Sequence, residues 1–87
     1  MNIYLSSAFK SAYKRLVKKN KPLQRKIKTK IQTFKDKPNH PSLKLHKLTG
    51  SLHDTWSFSV ESDLRILFCY IEDGVLFTNI GKHEDVY

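Results

Sequence analysis

The chain has 87 residues, 39% of them hydrophobic and 11% aromatic, with sixteen Lys and Arg against eight Asp and Glu and a net charge of +8. That length makes a single domain over residues 1–87 with one small core, and the apolar fraction excludes a disordered chain. One cysteine, Cys69, excludes an internal disulfide and fits a reducing cytoplasm, and no apolar run approaches the ~20 residues that span a bilayer.

The charge is lopsided. Residues 1–48 carry fourteen basic groups and one acid, Asp36, for +13; residues 49–87 carry two basic groups and seven acids, for −5, which together give the +8. A basic half this dense attracts a polyanion at long range, with binding that weakens as salt rises.

Residues 1–5 read as a short strand, with Ile3 and Leu5 alternating against Asn2 and Tyr4. Ser6 or Ser7 can cap a helix. Phe9, Ala12, Tyr13, Leu16 and Val17 then recur at helical spacing, with Lys10, Lys14, Arg15, Lys18 and Lys19 on the other sides. Asn20 is expected to end this helix in the left-handed conformation, and Pro22 to open the next. The second helix is expected over residues 22–34, with Leu23, Ile27, Ile31 and Phe34 on its apolar face. Two amphipathic helices joined by a tight turn need a surface to rest on, and only strands remain to provide it.

Residues 36–41 hold two prolines among polar residues and read as loop. Leu43 and Leu45 alternate with Lys44 and His46, so an extended strip is expected with Lys44 and His46 on one side. Gly50-Ser51 reads as a turn. Trp56, Phe58 and Val60 alternate with Ser57 and Ser59, the pattern of a half-buried strand.

Residues 63–80 contain two apolar, β-branched and aromatic runs around Asp73-Gly74, a strong hairpin signal. A two-residue turn at that pair would set Arg65 against Lys82 and send His83 to the opposite face. A site holding both Arg65 and His83 therefore needs the chain to bulge or leave the strand at Gly81. The order is β-α-α-β-β-β: an α+β fold of two layers, with an N-terminal strand and helical hairpin packed on an antiparallel sheet whose other face stays open.

Four histidines without ligand spacing and three scattered glycines give no metal site and no phosphate loop. The remaining polar groups suit a phosphodiester. RNA is cleaved without a metal when a base takes the 2′-hydroxyl proton, a cation neutralises the phosphorane and an acid protonates the leaving oxygen. His83 has the intrinsic pKa for either proton role. Arg65 can grip two phosphate oxygens in a planar fork. Tyr87 can donate a proton or stack on a base. Lys44, His46 and Lys47 add positive charge beside them, and Lys26, Lys30 and Lys82 are further candidates for RNA contact.

The basic helical hairpin, His-Lys-Leu-Thr-Gly-Ser (46–51), Asp-Leu-Arg-Ile-Leu-Phe-Cys-Tyr (63–70) and Gly-Lys-His-Glu-Asp-Val-Tyr (81–87) resemble the RelE/ParE superfamily of type II toxin–antitoxin toxins. Within it the chain is most similar to the YafQ, RelE and YoeB-like messenger-RNA interferases, and the resemblance covers nearly the whole length. It implies a RelE-like fold and metal-independent cleavage of mRNA in the ribosomal A site, with no cofactor. It also implies a cognate antitoxin, acidic or amphipathic, that wraps the toxin in a hetero-oligomer. Carried over by position, His46 matches the histidine before the Leu-x-Gly-Ser turn, and Asp63 the aspartate at the start of a strand. Arg65 matches the strand arginine, His83 the C-terminal histidine and Tyr87 the aromatic after it. Ser59 stands where YafQ-like toxins have a second histidine, and Leu64 where they have a tryptophan. The ParE-like relatives share the fold and poison DNA gyrase, so gyrase poisoning and a degenerate, inactive toxin are the alternatives.

Overall fold

The computed structural model describes residues 1–48 and 54–82. In chain order the elements are β1 (Asn2–Leu5), α1 (Ser7–Val17), α2 (Lys21–Asp36), a 3₁₀ turn (Pro41–Leu43), β2 (His46–Lys47), β3 (Trp56–Glu61), β4 (Leu64–Ile71) and β5 (Gly74–Lys82). The strands form one sheet in the order β1-β5-β4-β3-β2. Strands β2 to β5 are antiparallel, whereas β1 runs parallel to β5 and makes the sheet mixed. The parallel pairing follows from connectivity, because the helical hairpin carries the chain over the sheet before β5 is reached.

Both helices begin on side-chain caps. Ser6 Oγ accepts from Phe9 N at 3.0 Å and donates to the Thr78 carbonyl at 2.9 Å, so it caps α1 and ties it to β5. Asn20 Oδ1 accepts from Leu23 N at 3.2 Å. The left-handed residue between the helices is Lys19 (φ 57°), not Asn20. Asn20 is therefore the start of α2 rather than the end of α1: its amide satisfies a free backbone N–H that the next helix would otherwise leave open.

All five phenylalanines of the chain, Phe9, Phe34, Phe58, Phe68 and Phe77, are at most 2% exposed. Phe34 of α2 stacks on Phe58 at 4.6 Å between ring centroids and meets Phe68 edge-on at 4.9 Å. Phe9 of α1 lies 5.4 Å from Phe77. Each helix thus delivers an aromatic anchor to the sheet, and each buried ring of this size contributes several kcal/mol, roughly what Phe→Ala truncation removes.

Two register features differ from the sequence expectation. The hairpin turn is Glu72-Asp73, with Ile71 already paired to Gly74. Gly74 is required by the neighbouring strand instead of by the turn, since a Cβ there would collide with the Asn2 carbonyl of β1. Further along, Leu67 pairs with Asn79 and Phe68 with Phe77, which leaves Thr78 as a bulge. The bulge is held by Ser6 Oγ on the Thr78 carbonyl and by Asn79 Oδ1, which accepts from Ile80 N at 2.9 Å. Together these shifts set Arg65 opposite Gly81, not Lys82.

Candidate functional site

Arg65 lies on β4 between Leu64 and Ile66, both of which face the core. Alternation therefore sends its side chain to the face away from the helices. Ser57 and Ser59 of β3 lie on that face, as do Leu67, Asn79 and Gly81 by register. His46 of β2 joins them through its pairing with Ser57.

The arginine is held in place. Its Nε donates to Ser57 Oγ at 2.9 Å and its Nη2 to the Lys44 carbonyl at 2.8 Å. Nη2 also lies 3.4 Å from the Ser57 carbonyl and 3.5 Å from His46 Nδ1. Every one of these partners is uncharged or a ring nitrogen. Among the described residues no carboxylate pairs with Arg65, so its positive charge is left for a ligand.

The Lys44 carbonyl reaches Arg65 because of how the preceding loop folds. Pro41 opens a 3₁₀ turn in which Ser42 N donates to His40 Nδ1 at 3.1 Å and Leu43 N to the His40 carbonyl at 3.0 Å. Leu43 is fully buried in the core. The chain then reverses through Lys44 in the left-handed region, φ 46° and ψ 50°. The loop so passes from the helix layer around the sheet edge to the far face. The extended strip expected across residues 43–46 is corrected accordingly: only His46–Lys47 form a strand, and Lys44 and His46 do not alternate along one. Burying Leu43 outweighs the local alternation that suggested a strand.

The other candidates distribute as follows. Asp63 lies in the exposed turn between β3 and β4. Lys47 is 3.9 Å from Asp54, and Lys26 pairs with Glu61 at 3.3 Å across the helix side of the sheet. Lys30 donates to the Ser42 carbonyl at 3.4 Å. Lys82 pairs with Leu64, so register puts it on the helix side, away from Arg65. His83 and Tyr87 lie outside the described residues, as does the Gly50-Ser51 turn. The structure thus gathers Arg65, His46 and the Lys44 backbone at one place. Ser57 belongs with them and was not legible: in sequence it is one small polar residue in an alternating strand. It is 0% exposed, and the expected half-buried strand is buried on both faces from Ser57 to Val60.

A sequence model of the family described as "Bacterial toxin of type II toxin-antitoxin system, YafQ" matches residues 1–87. The chain belongs to the YafQ toxin family. Solved structures share its fold. YafQ from E. coli strain BL21(DE3) superposes with a TM-score of 0.82 at 19% identity, covering 99% of this chain and 97% of that one. The toxin also matches the E. coli DinJ-YafQ toxin-antitoxin complex (TM-score 0.80, 20% identity, 99% and 96% covered). A third match is the YoeB-YefM complex from Staphylococcus aureus (TM-score 0.76, 19% identity, 95% and 97% covered). No curated protein sequence matches the chain. The toxin's element order and two-layer architecture are those expected of the RelE-like fold, with β1 parallel as the added detail. No helix among the described residues is long and apolar enough to cross a membrane.

Proposed function

We propose that this toxin is an endoribonuclease that cleaves messenger RNA in the ribosomal A site and is neutralised by a cognate antitoxin. The observation that carries the reading is Arg65, a guanidinium held by Ser57 Oγ at 2.9 Å and the Lys44 carbonyl at 2.8 Å, with no acidic partner among the described residues. A cation fixed in this way costs little reorganisation when charge develops on a phosphorane.

In the proposed reaction a base removes the 2′-hydroxyl proton and the alkoxide attacks the adjacent phosphorus. The 5′-oxygen leaves with a proton from an acid, giving a 2′,3′-cyclic phosphate and a 5′-hydroxyl end. Arg65 neutralises the phosphorane. His83 is the acid or base, and Tyr87 supports it at the leaving group or by stacking on a base. His46 contributes through Nε2, since its Nδ1 is turned to Arg65. Asp63 orients the strand end from which Arg65 projects. Lys44, Lys47, Lys82, Lys26 and Lys30 add attraction for the RNA backbone. What supports the pairing of Arg65 with His83 is the register of the described strand, which sets Gly81, two residues before His83 in sequence, opposite Arg65.

The test is induction without antitoxin followed by sequencing of RNA 5′ ends, with Arg65→Ala and His83→Ala alongside. Both variants are expected to abolish growth arrest and to cut cleavage to a small residual rate while still binding the antitoxin. Full toxicity of both variants would overturn the mechanism, and intact messengers with DNA damage would replace RNA by gyrase as the target.

A further inference from the structure

We infer that Ser57 is a positioning residue for Arg65, and that it turns the Nη1 end of the guanidinium to the substrate phosphate. The inference rests on the proposed role of Arg65. Guanidinium offers two edges to a phosphate, Nε with Nη2 and Nη1 with Nη2. Here the first edge is occupied by the protein. Ser57 Oγ takes Nε at 2.9 Å, the Lys44 carbonyl takes Nη2 at 2.8 Å and the Ser57 carbonyl lies at 3.4 Å from the same nitrogen. The same Nη2 is shared with His46 Nδ1 at 3.5 Å, whereas Nη1 has no hydrogen-bond partner among the described residues, so a phosphate meets the arginine at Nη1.

Ser57 is suited to this work by its surroundings. It is fully buried, although it lies on the face of the sheet that the helices leave uncovered. Its backbone is fixed from both sides, by His46 of β2 and Leu67 of β4. A rigid acceptor at the Nε end converts a long, rotamer-rich side chain into one with a defined direction. The second acceptor is equally fixed, because Leu43 in the core anchors the left-handed turn at Lys44. Ser57 itself does not touch the substrate: its effect passes through the arginine.

The experiment measures RNA cleavage by the full chain for wild type, Ser57→Ala, Arg65→Ala and the double variant. Ser57→Ala is expected to lower kcat about 10- to 100-fold, the range expected when a catalytic group is misplaced by about 1 Å, with KM nearly unchanged. Ser57→Thr, which keeps the hydroxyl, is expected to retain most of the activity. In the Arg65→Ala background, Ser57→Ala should have no further effect. The nitrogen-15 resonance of the Arg65 Nε–H should be sharp and slow to exchange in wild type and should broaden in Ser57→Ala. Loss of cleavage in Arg65→Ala with full activity in Ser57→Ala overturns the positioning role alone. Equal losses from Ser57→Ala in both backgrounds overturn it as well, since the serine would then act apart from the arginine. Retained cleavage in Arg65→Ala overturns the parent reading. Fast exchange of Nε–H in wild type overturns the positioning role even if Ser57→Ala does not fold.

Discussion

Replacing Gly74 by alanine probes the junction between the first and last strands. The added Cβ would fall against the Asn2 carbonyl oxygen, with Asn2 C at 2.8 Å and Asn2 N at 3.0 Å. All three are backbone atoms, so no side chain can rotate out of the way. Either β1 moves or the hairpin does. Overpacking of this kind costs typically about 1–3 kcal/mol. If β1 gives way locally, one or two ladder hydrogen bonds near the Asn2–Gly74 pair are lost as well, at about 1 kcal/mol each. The expected destabilisation is therefore roughly 2–5 kcal/mol, which is a large part of what holds a domain this small together. Urea unfolding should show a lower midpoint with the slope conserved. The Tyr4–Asp73 hydrogen bond, 2.8 Å in the native protein, gives a second readout, since a displaced β1 would break it. A midpoint within about 0.5 kcal/mol of wild type would refute the reasoning, because the collision would then be relieved by a strand shift too small to matter.

Two further outcomes are expected. Tyr4 keeps its phenol proton to higher pH than an ordinary tyrosine, because its hydroxyl donates to Asp73 and the carboxylate charge opposes ionisation. The folded-state pKa is raised, so the contact's contribution is present below the ordinary tyrosine pKa and is lost as pH climbs through the raised one. Tyr4→Phe should remove a late-ionising step from the ultraviolet titration, and a variant titration that lacks only an ordinary tyrosine step would count against the bond. Lys44→Gly should fold as well as wild type or be up to about 1 kcal/mol more stable, since glycine accepts the left-handed φ of 46° without penalty. Because the carbonyl that holds Arg65 is kept, cleavage should persist, with the slope of log affinity against log salt reduced by about one if the ammonium meets a phosphate. Loss of cleavage as complete as in Arg65→Ala would show that the ammonium, not the carbonyl, matters.

The two helices were legible because their apolar residues recur at a period that only a helix satisfies, and Phe9 and Phe34 arrive in the core as that spacing requires. The hairpin was legible in kind but one residue out in its turn. Asp73-Gly74 looks like a turn pair, yet the glycine answers to Asn2, a residue 72 positions away, and local chemistry carries no trace of that. The bulge at Thr78 depends on Ser6 in the same way. Arg65 could be picked from its strand position and its charge. Ser57 could not, because its importance comes from lying beneath an arginine eight residues later and from a carbonyl delivered by the loop at Lys44.

Nine of the sixteen basic residues sit on α1 and α2, on one side of the sheet, while Arg65 projects from the other. The helical lysines and the Arg65 guanidinium thus face opposite flanks. A short oligonucleotide laid along the arginine flank gains little from the lysine-rich flank, which it cannot reach. A crevice walled by polyanion on two sides would engage both at once, seating the lysine-rich flank on one wall while Arg65 faces the other.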